Sequence, residues 1–265
     1  MSICMSVSEV VAKEQANLQE SKYVEVKPSP FIEYEKVREM IKNGSEVSIT
    51  VILTFSPEIN ESTLFFHSDL KNASGHITIE GSPGLKNGGS FTVNHQEAKN
   101  EVRIGWSGEA PEVNKREENV TLLNITQKIT EEYSVIDIKR DVTSEIIEDA
   151  ISAQGEAREK VESANRTIVN ATEAGVDVSE AKTSLETASL YLKDANDAYW
   201  QGRQEDSIVA ATNASHYAEL AKEKAESAVG SMKYRNYGIL AAVVIIAVVV
   251  LGLWAKKRSK KRGIY

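Results

Sequence analysis

The sequence predicts a β-sandwich of immunoglobulin-like dimensions, then an all-α antiparallel helical hairpin or three-helix bundle, then a single transmembrane helix. Three observations carry this reading. From about residue 31 to 140, short apolar stretches alternate with period two, as in Val47, Ile49, Val51, Leu53 and Phe55 against Ser48, Thr50, Ile52 and Thr54. After Val142 the period changes to alternating steps of three and four, with alanine at most apolar positions. Finally, Tyr237–Ala255 carries no charge over nineteen residues, and at about 1.5 Å per residue it spans about 28 Å of helix. The expected organisation is a remnant signal peptide and flexible leader over 1–21, a sandwich over 22–142 and an Ala-rich stalk over 143–230. A juxtamembrane linker over 231–236, a span over 237–255 and a basic cytoplasmic tail over 256–265 complete it.

Met1–Ala12 has no basic region and only a short apolar stretch, yet Val10-Val11-Ala12 resembles a cleavage site. The expectation is that the chain begins inside a longer signal peptide. Tyr23–Val26 reads as a first strand before Pro28 and Pro30. Ile32–Lys42 fits a strand better than a short helix, although Val37, Met40 and Ile41 also share a helical face. Asn43-Gly44-Ser45 is a turn signal ahead of the strand Val47–Phe55. Further strands are expected at Leu64–Ser68, His76–Glu80, Phe91–Asn94, Val102–Trp106, Val120–Thr126 and Tyr133–Arg140. Seven or eight short strands in about 115 residues, with no helices between them, suggest one antiparallel sandwich. The Cys…Trp…Cys hallmark of antibody domains is absent, and Trp106 reads as a core filler.

Thr143 or Ser144 is the expected cap of a helix running to about Ala174, ended by Gly175. Its apolar seam reads Ile146, Ala150, Ala153, Ala157, Val161, Ala164, Ile168 and Ala171. The doubled step of four around Gly155 predicts a local unwinding or bend. Ser179 is the expected cap of a second helix with the seam Ala181, Leu185, Ala188, Leu192, Ala195 and Tyr199, broken at Gln201-Gly202-Arg203. A third helix carries Ala211, Ala214, Ala218, Ala221, Ala225 and Ala228 and is expected to end near Gly230. Small side chains let helices approach closely, so the stalk should be slim and stiff, packing within one chain or between chains.

Lys256, Lys257, Arg258, Lys260, Lys261 and Arg262 follow the apolar segment. Basic flanks stay cytoplasmic and meet anionic lipid, so the expected orientation is N-terminal domain outside and C-terminus inside, in the cell membrane. The net charge is −8, and the six tail positives leave −14 on the remainder, which argues against nucleic acid as a partner. Asn-x-Ser/Thr occurs at Asn43, Asn60, Asn72, Asn119, Asn124, Asn165, Asn170 and Asn213, eight of fifteen asparagines. Chance predicts about two, so these are the candidate N-glycosylation sites. Cys4 is the only cysteine, and a disulfide-free exterior is ordinary for archaeal and many bacterial envelope proteins.

No chemistry-bearing pattern emerges. His67, His76, His95 and His216 have no metal-ligand spacing, so no metal or cofactor is expected. Gly81–Gly89 lacks the phosphate-loop spacing and a following helix, and reads as a hairpin loop. Asp194–Asp197 has no central glycine or terminal glutamate of a calcium loop. The expectation is a non-enzyme.

The sequon set, the cysteine-free exterior and the segment Ala181–Ala228, with Leu192-Lys193-Asp194-Ala195-Asn196-Asp197-Ala198-Tyr199 and Gly202, resemble uncharacterised archaeal membrane-anchored cell-surface glycoproteins. The resemblance implies an envelope protein, S-layer-associated, adhesive or accessory to a membrane complex, and no particular ligand. Expected partners are the membrane, an envelope or membrane protein, and a second copy through the stalk. A competing architecture is that of the VAP family of intracellular tail-anchored adaptors, and a third reading is a subunit of a membrane sensor or transporter.

Overall fold

The computed structural model describes residues 18–79, 82–85, 89–98 and 101–261; side chains of 82–85, 233–243, 247 and 252–261 lie outside the description. The chain divides into two compact units, residues 1–148 and 149–265. Met1–Ala12, with its cleavage-site reading and Cys4, lies outside the described residues.

The first unit contains β1 (Val24–Val26), β2 (Phe31–Tyr34), β3 (Lys36–Val37), β4 (Met40–Lys42), β5 (Glu46–Phe55) and β6 (Glu61–His67). After these come β7 (Lys71–Ile79), β8 (Ser82–Leu85), β9 (Ser90–Asn94), β10 (Val102–Glu109), β11 (Glu117–Lys128) and β12 (Glu132–Thr143). They form two six-stranded sheets: β1-β5-β10-β7-β8 with β2 also on β5, and β3-β4-β12-β11-β6-β9. Among the described residues the strand pairings are antiparallel except β4 with β12, and an isolated parallel bridge joins Glu20 to Ser134. Their inner faces share one core, including Ile49, Val51 and Leu53 from one sheet and Leu64, Val93 and Ile125 from the other. Each such fully buried side chain contributes about 1.5–3 kcal/mol of transfer free energy.

Alternation explains β5, which buries every second residue from Val47 to Phe55. It fails in β11, where Leu122 and Leu123 are both fully buried. The register against β12 shifts between Thr121 and Leu123, so a bulge turns two consecutive side chains inward. Trp106 faces the core half-buried and stacks on Phe66, with ring centroids 5.7 Å apart and planes at 15°. Directly across the ladder stands Gly75, where a Cβ would lie 2.5 Å from the indole. The Gly81–Gly89 loop is corrected in part: Ser82–Leu85 forms β8, paired antiparallel with β7 from Ile79↔Ser82 to His76↔Leu85.

Three helices follow: α1 (Glu145–Glu173), α2 (Ser179–Trp200) and α3 (Gln204–Lys261). Ser144 caps α1, its Oγ accepting the Ile147 N–H at 3.4 Å. Gly175 closes it at φ 75°, its N–H bonding the Thr172 carbonyl while Val176 N–H bonds that of Ala171. Ser179 is not a cap but the first residue of α2. The cap position is Val178, and Asp177 Oδ1 accepts the Ser179 N–H at 3.1 Å.

The seam of α1 also differs from expectation. Ile146 is exposed, whereas Ile147, Ala150, Gln154, Ala157, Ala164, Ile168 and Ala171 are buried and Val161 is half-buried. Those positions step 3,4,3,4,3,4,3 without a slip, and the helix is continuous through Gly155. The doubled four arose from passing over Gln154, a polar residue in an apolar position. Its Nε2 donates to Ser207 Oγ at 3.0 Å, and that hydroxyl donates to the Ala195 carbonyl at 2.9 Å. The polar triad joins all three helices. Around it, Ala157 clusters with Ala195, Ala211 and Ala214, and Ala164 with Ala188, Ala218 and Ala221. Tyr191 stacks on Tyr217 at 5.5 Å, and Lys160 pairs with Glu219 at 2.7 Å.

The expected end near Gly230 is corrected: α3 remains helical from Gln204 to Lys261, through the linker 231–236. The expected transmembrane helix at 237–255 is corrected too. Among the described residues no helix is long and apolar enough to cross a membrane. With the span go the single-pass anchor, the cell-membrane location with an outside N-terminal domain, and the cytoplasmic tail. The side chains of Lys256, Lys257, Arg258, Lys260, Lys261 and Arg262 lie outside the described residues, as does the lipid contact expected of them.

Candidate functional site

The first unit holds two buried polar clusters, and the helical unit holds an open apolar groove. In the sandwich, β6, β9, β11 and the segment before β1 converge on a buried polar chain. His95 is fully buried, Gln127 likewise, and Ser62 is 3% exposed. His95 Nδ1 lies 2.8 Å from the Ser56 carbonyl, which only accepts, so Nδ1 carries the proton. Nε2 therefore accepts the Ser62 hydroxyl at 2.8 Å. Ser62 Oγ in turn accepts Gln127 Nε2 at 2.9 Å, and Gln127 Oε1 accepts the Ser21 hydroxyl. The Tyr23 and Val24 N–H groups close the chain on Ser21 Oγ at 3.1 and 3.2 Å. Phe55 packs edge-on against the imidazole at 4.9 Å. Every polar atom of His95, Ser62 and Gln127 taking part is matched, so the chain specifies register between strands. It is a nucleophile–base contact in form, and it is sealed in the core.

A second polar cluster belongs to the same unit. Glu148, at the start of α1, is 2% exposed. Arg116 meets it in a fork, Nε to Oε1 at 3.0 Å and Nη2 to Oε2 at 2.5 Å. Thr143 Oγ1 donates to Oε1 at 2.8 Å, and Arg38 Nη1 stands 3.3 Å from Oε2. Arg38 sits in the β3–β4 turn at φ 56°, a left-handed conformation that side chains other than glycine and asparagine rarely adopt. Burial pushes the Glu148 carboxyl up, but the hydrogen bonds from Arg116 and Thr143 and the charges of Arg116 and Arg38 outweigh it. The carboxyl titrates below its ordinary range.

In the helical unit, α1 and α2 leave an open groove of about 310 Å³ near their connecting turn. Ile168 and Leu185 form its floor, and Val169 stands beside it with 45% of its surface exposed. Glu173 borders it from α1, while Lys182 and Glu186 border it from α2. No metal-holding group of three ligands occurs among the described residues.

The sequon asparagines are scattered. Asn60, Asn72, Asn119, Asn165 and Asn170 are exposed, and Asn43 and Asn213 are half-buried. Asn43 Nδ2, the atom a glycan would take, donates to Glu112 Oε2 at 3.1 Å. Asn124 is 8% exposed in mid-β11, with its Oδ1 buried and without a hydrogen-bond partner. Asn72 in β7 and Asn119 in β11 hold a left-handed backbone at φ 53° and 58°, a conformation asparagine tolerates. That backbone role alone accounts for asparagine at those two positions. None of the groups just built was visible as a motif. Ser62 and His95 are 33 residues apart, and Ser21 and Gln127 are 106 apart.

No known family matches the chain, and no curated protein matches it. Among solved structures, the sporulation control protein Spo0M from Bacillus subtilis is similar at 14% identity, with a TM-score of 0.27. The match covers 50% of this chain and 55% of that one. A conjugative transposon lipoprotein from Bacteroides eggerthii is similar at 12% identity and a TM-score of 0.22, over 43% of this chain and 97% of that chain. The chain spans about half the length of the sporulation protein. At these scores neither likeness bears on what the protein does. The expected archaeal cell-surface identity has no counterpart among them, and the glycoprotein and S-layer readings find no support.

Proposed function

We propose that this protein is a non-enzymatic structural and partner-binding protein, with the helical unit presenting the binding face. The α1–α2 groove is the observation that carries this reading. The helices bury their alanine seams against one another, yet Ile168, Val169 and Leu185 line a cleft left open beside those seams. Apolar floors with charged rims are the usual anatomy of helix-face recognition. The sandwich supports the same reading from the other side. Its Ser62–His95 contact is buried under Phe55 and committed to strand register, where a substrate has no access.

Photo-crosslinking tests the proposal. A benzophenone side chain at Val169 should yield higher-mass adducts in cells that naturally express the protein, and the same group at exposed Glu118 should not. Absence of adducts at Val169 overturns the reading.

A further inference from the structure

We infer that Asn43-Gly44 is a self-modifying site, whose asparagine converts to aspartate and isoaspartate by reaction with its own backbone, and that Glu112 and the surrounding turn hold it unreacted in the fold. Residues 42–45 form a four-residue turn, closed by the Ser45 N–H on the Lys42 carbonyl at 3.2 Å. Gly44 stands at φ 66°, where a type II turn takes glycine. Asn43 is half-buried and Gly44 exposed, so solvent reaches the dipeptide.

The chemistry needs this chain and water. The Gly44 backbone nitrogen gives its proton to solvent and attacks Asn43 Cγ. A carbon–nitrogen bond forms there, the bond from Cγ to Nδ2 breaks, and Nδ2 takes a proton from solvent and leaves as ammonia. Water then opens the cyclic imide at either carbonyl. One opening restores the ordinary main chain with an aspartate, and the other routes the main chain through the side-chain carbon and gives isoaspartate. One water is consumed for the ammonia released, and nothing is oxidised or reduced. Glycine favours the attack because no Cβ shields its nitrogen.

In the fold each reacting group is already engaged. The Gly44 N–H donates to the Ala110 carbonyl at 3.2 Å, so the nucleophile is tied to the chain just after β10. Asn43 Nδ2, the leaving group, donates to Glu112 Oε2 at 3.1 Å. Glu112 Oε1 covers the glycine, since a Cβ built on Gly44 would lie 2.5 Å from it. Ring closure must break both hydrogen bonds. After reaction a carboxylate stands where the amide faced Glu112, and attraction becomes repulsion across the same gap. The Asn43 N–H donates to the Thr143 carbonyl at 2.7 Å, directly after the β4–β12 pairs Val142↔Ile41 and Thr143↔Lys42. Modification therefore loosens β4 from β12.

Peptide mapping by mass spectrometry tests this on the full chain, incubated in mildly alkaline buffer with and without urea. In urea, Asn43 should convert about as fast as Asn87, which also precedes glycine. In the folded chain it should convert at least about tenfold more slowly, because the turn must open first. Glu112→Ala, at an exposed position, should raise the folded-state rate at Asn43 by about threefold or more. His95→Ala loosens the sandwich elsewhere and should not reproduce that rise. Asn43→Asp copies one product, and its urea midpoint by Trp106 fluorescence, with Trp200 and Trp254 replaced by Phe, should fall below that of the same chain with Asn43. No conversion in urea, or equal rates with and without urea, overturns the inference. So does a Glu112→Ala rate that does not rise, or that rises no more than in His95→Ala, and so does an unchanged midpoint in Asn43→Asp.

Discussion

Glu148→Gln is the most informative single perturbation of the sandwich. The side chain keeps its shape and one acceptor oxygen, but it loses the charge that faces Arg116 and Arg38. Arg116 makes two short bonds to a carboxylate that is 2% exposed, so this fork carries most of the effect. Hydrogen bonds to charged groups contribute about 1.5–3 kcal/mol, and breaking a buried pair costs about 3–5 kcal/mol. Arg116 is itself 31% exposed and Arg38 55%, so solvent recovers part of that cost. The expected loss is about 2–3 kcal/mol near neutral pH. Replacing Trp200 and Trp254 by Phe leaves Trp106 as the only tryptophan, so urea unfolding followed by its fluorescence reads the sandwich alone. The pH dependence supplies the second half of the test. A carboxyl held lower in the folded state than in the unfolded state stabilises above its ordinary value of 4.5. That contribution is lost as pH falls through the folded value, because both states are then protonated. The difference between wild type and Glu148→Gln should therefore be constant above about pH 5.5 and shrink below about pH 4.5. A difference under about 0.5 kcal/mol, or one that does not change with pH, refutes the reasoning.

Two further substitutions follow from the packing. His95→Ala empties a fully enclosed site and leaves the Ser62 hydroxyl and the Ser56 carbonyl without their partner. It should cost about 3 kcal/mol by the same Trp106 fluorescence, and a loss below about 1 kcal/mol shows that water replaces the ring freely. Ala218→Leu inserts three heavy atoms into a seam where Ala218 is 1% exposed beside Ala164 and Ala188. Overpacking should lower the helical melting transition by about 1–3 kcal/mol in circular dichroism, and an unchanged Tm contradicts the close seam.

Much of the secondary structure was legible because it rests on short-range chemistry. Alternation in Val47–Phe55 marks β5, the three-four steps of Ala211–Ala225 mark the buried side of α3, and Gly175 and Gly202 mark the helix ends. Reading failed where an apolar pattern was interrupted for a tertiary reason. Gln154 occupies a seam position because Ser207 and Ala195 supply its partners from two other helices. Skipping it displaced the seam to the exposed Ile146. In β11, the bulge at Leu122 breaks an alternation that strand pairing alone sets.

Residue order decided what neighbours along the chain can decide: where period two gives way to period three-four, which turns take glycine, and how helix ends are closed. Only the fold decided which distant polar groups meet. Glu148 draws Arg38 and Arg116 from two separate stretches of the sandwich, and His95 reaches Ser62 and Ser56 across β6. The groove likewise exists only once α1 and α2 are set side by side. Hydrophobic periodicity is a local property of a helix or strand, whereas a buried hydrogen bond depends on register and approach to within about 3 Å. That condition is met in space and leaves no fixed spacing in the sequence.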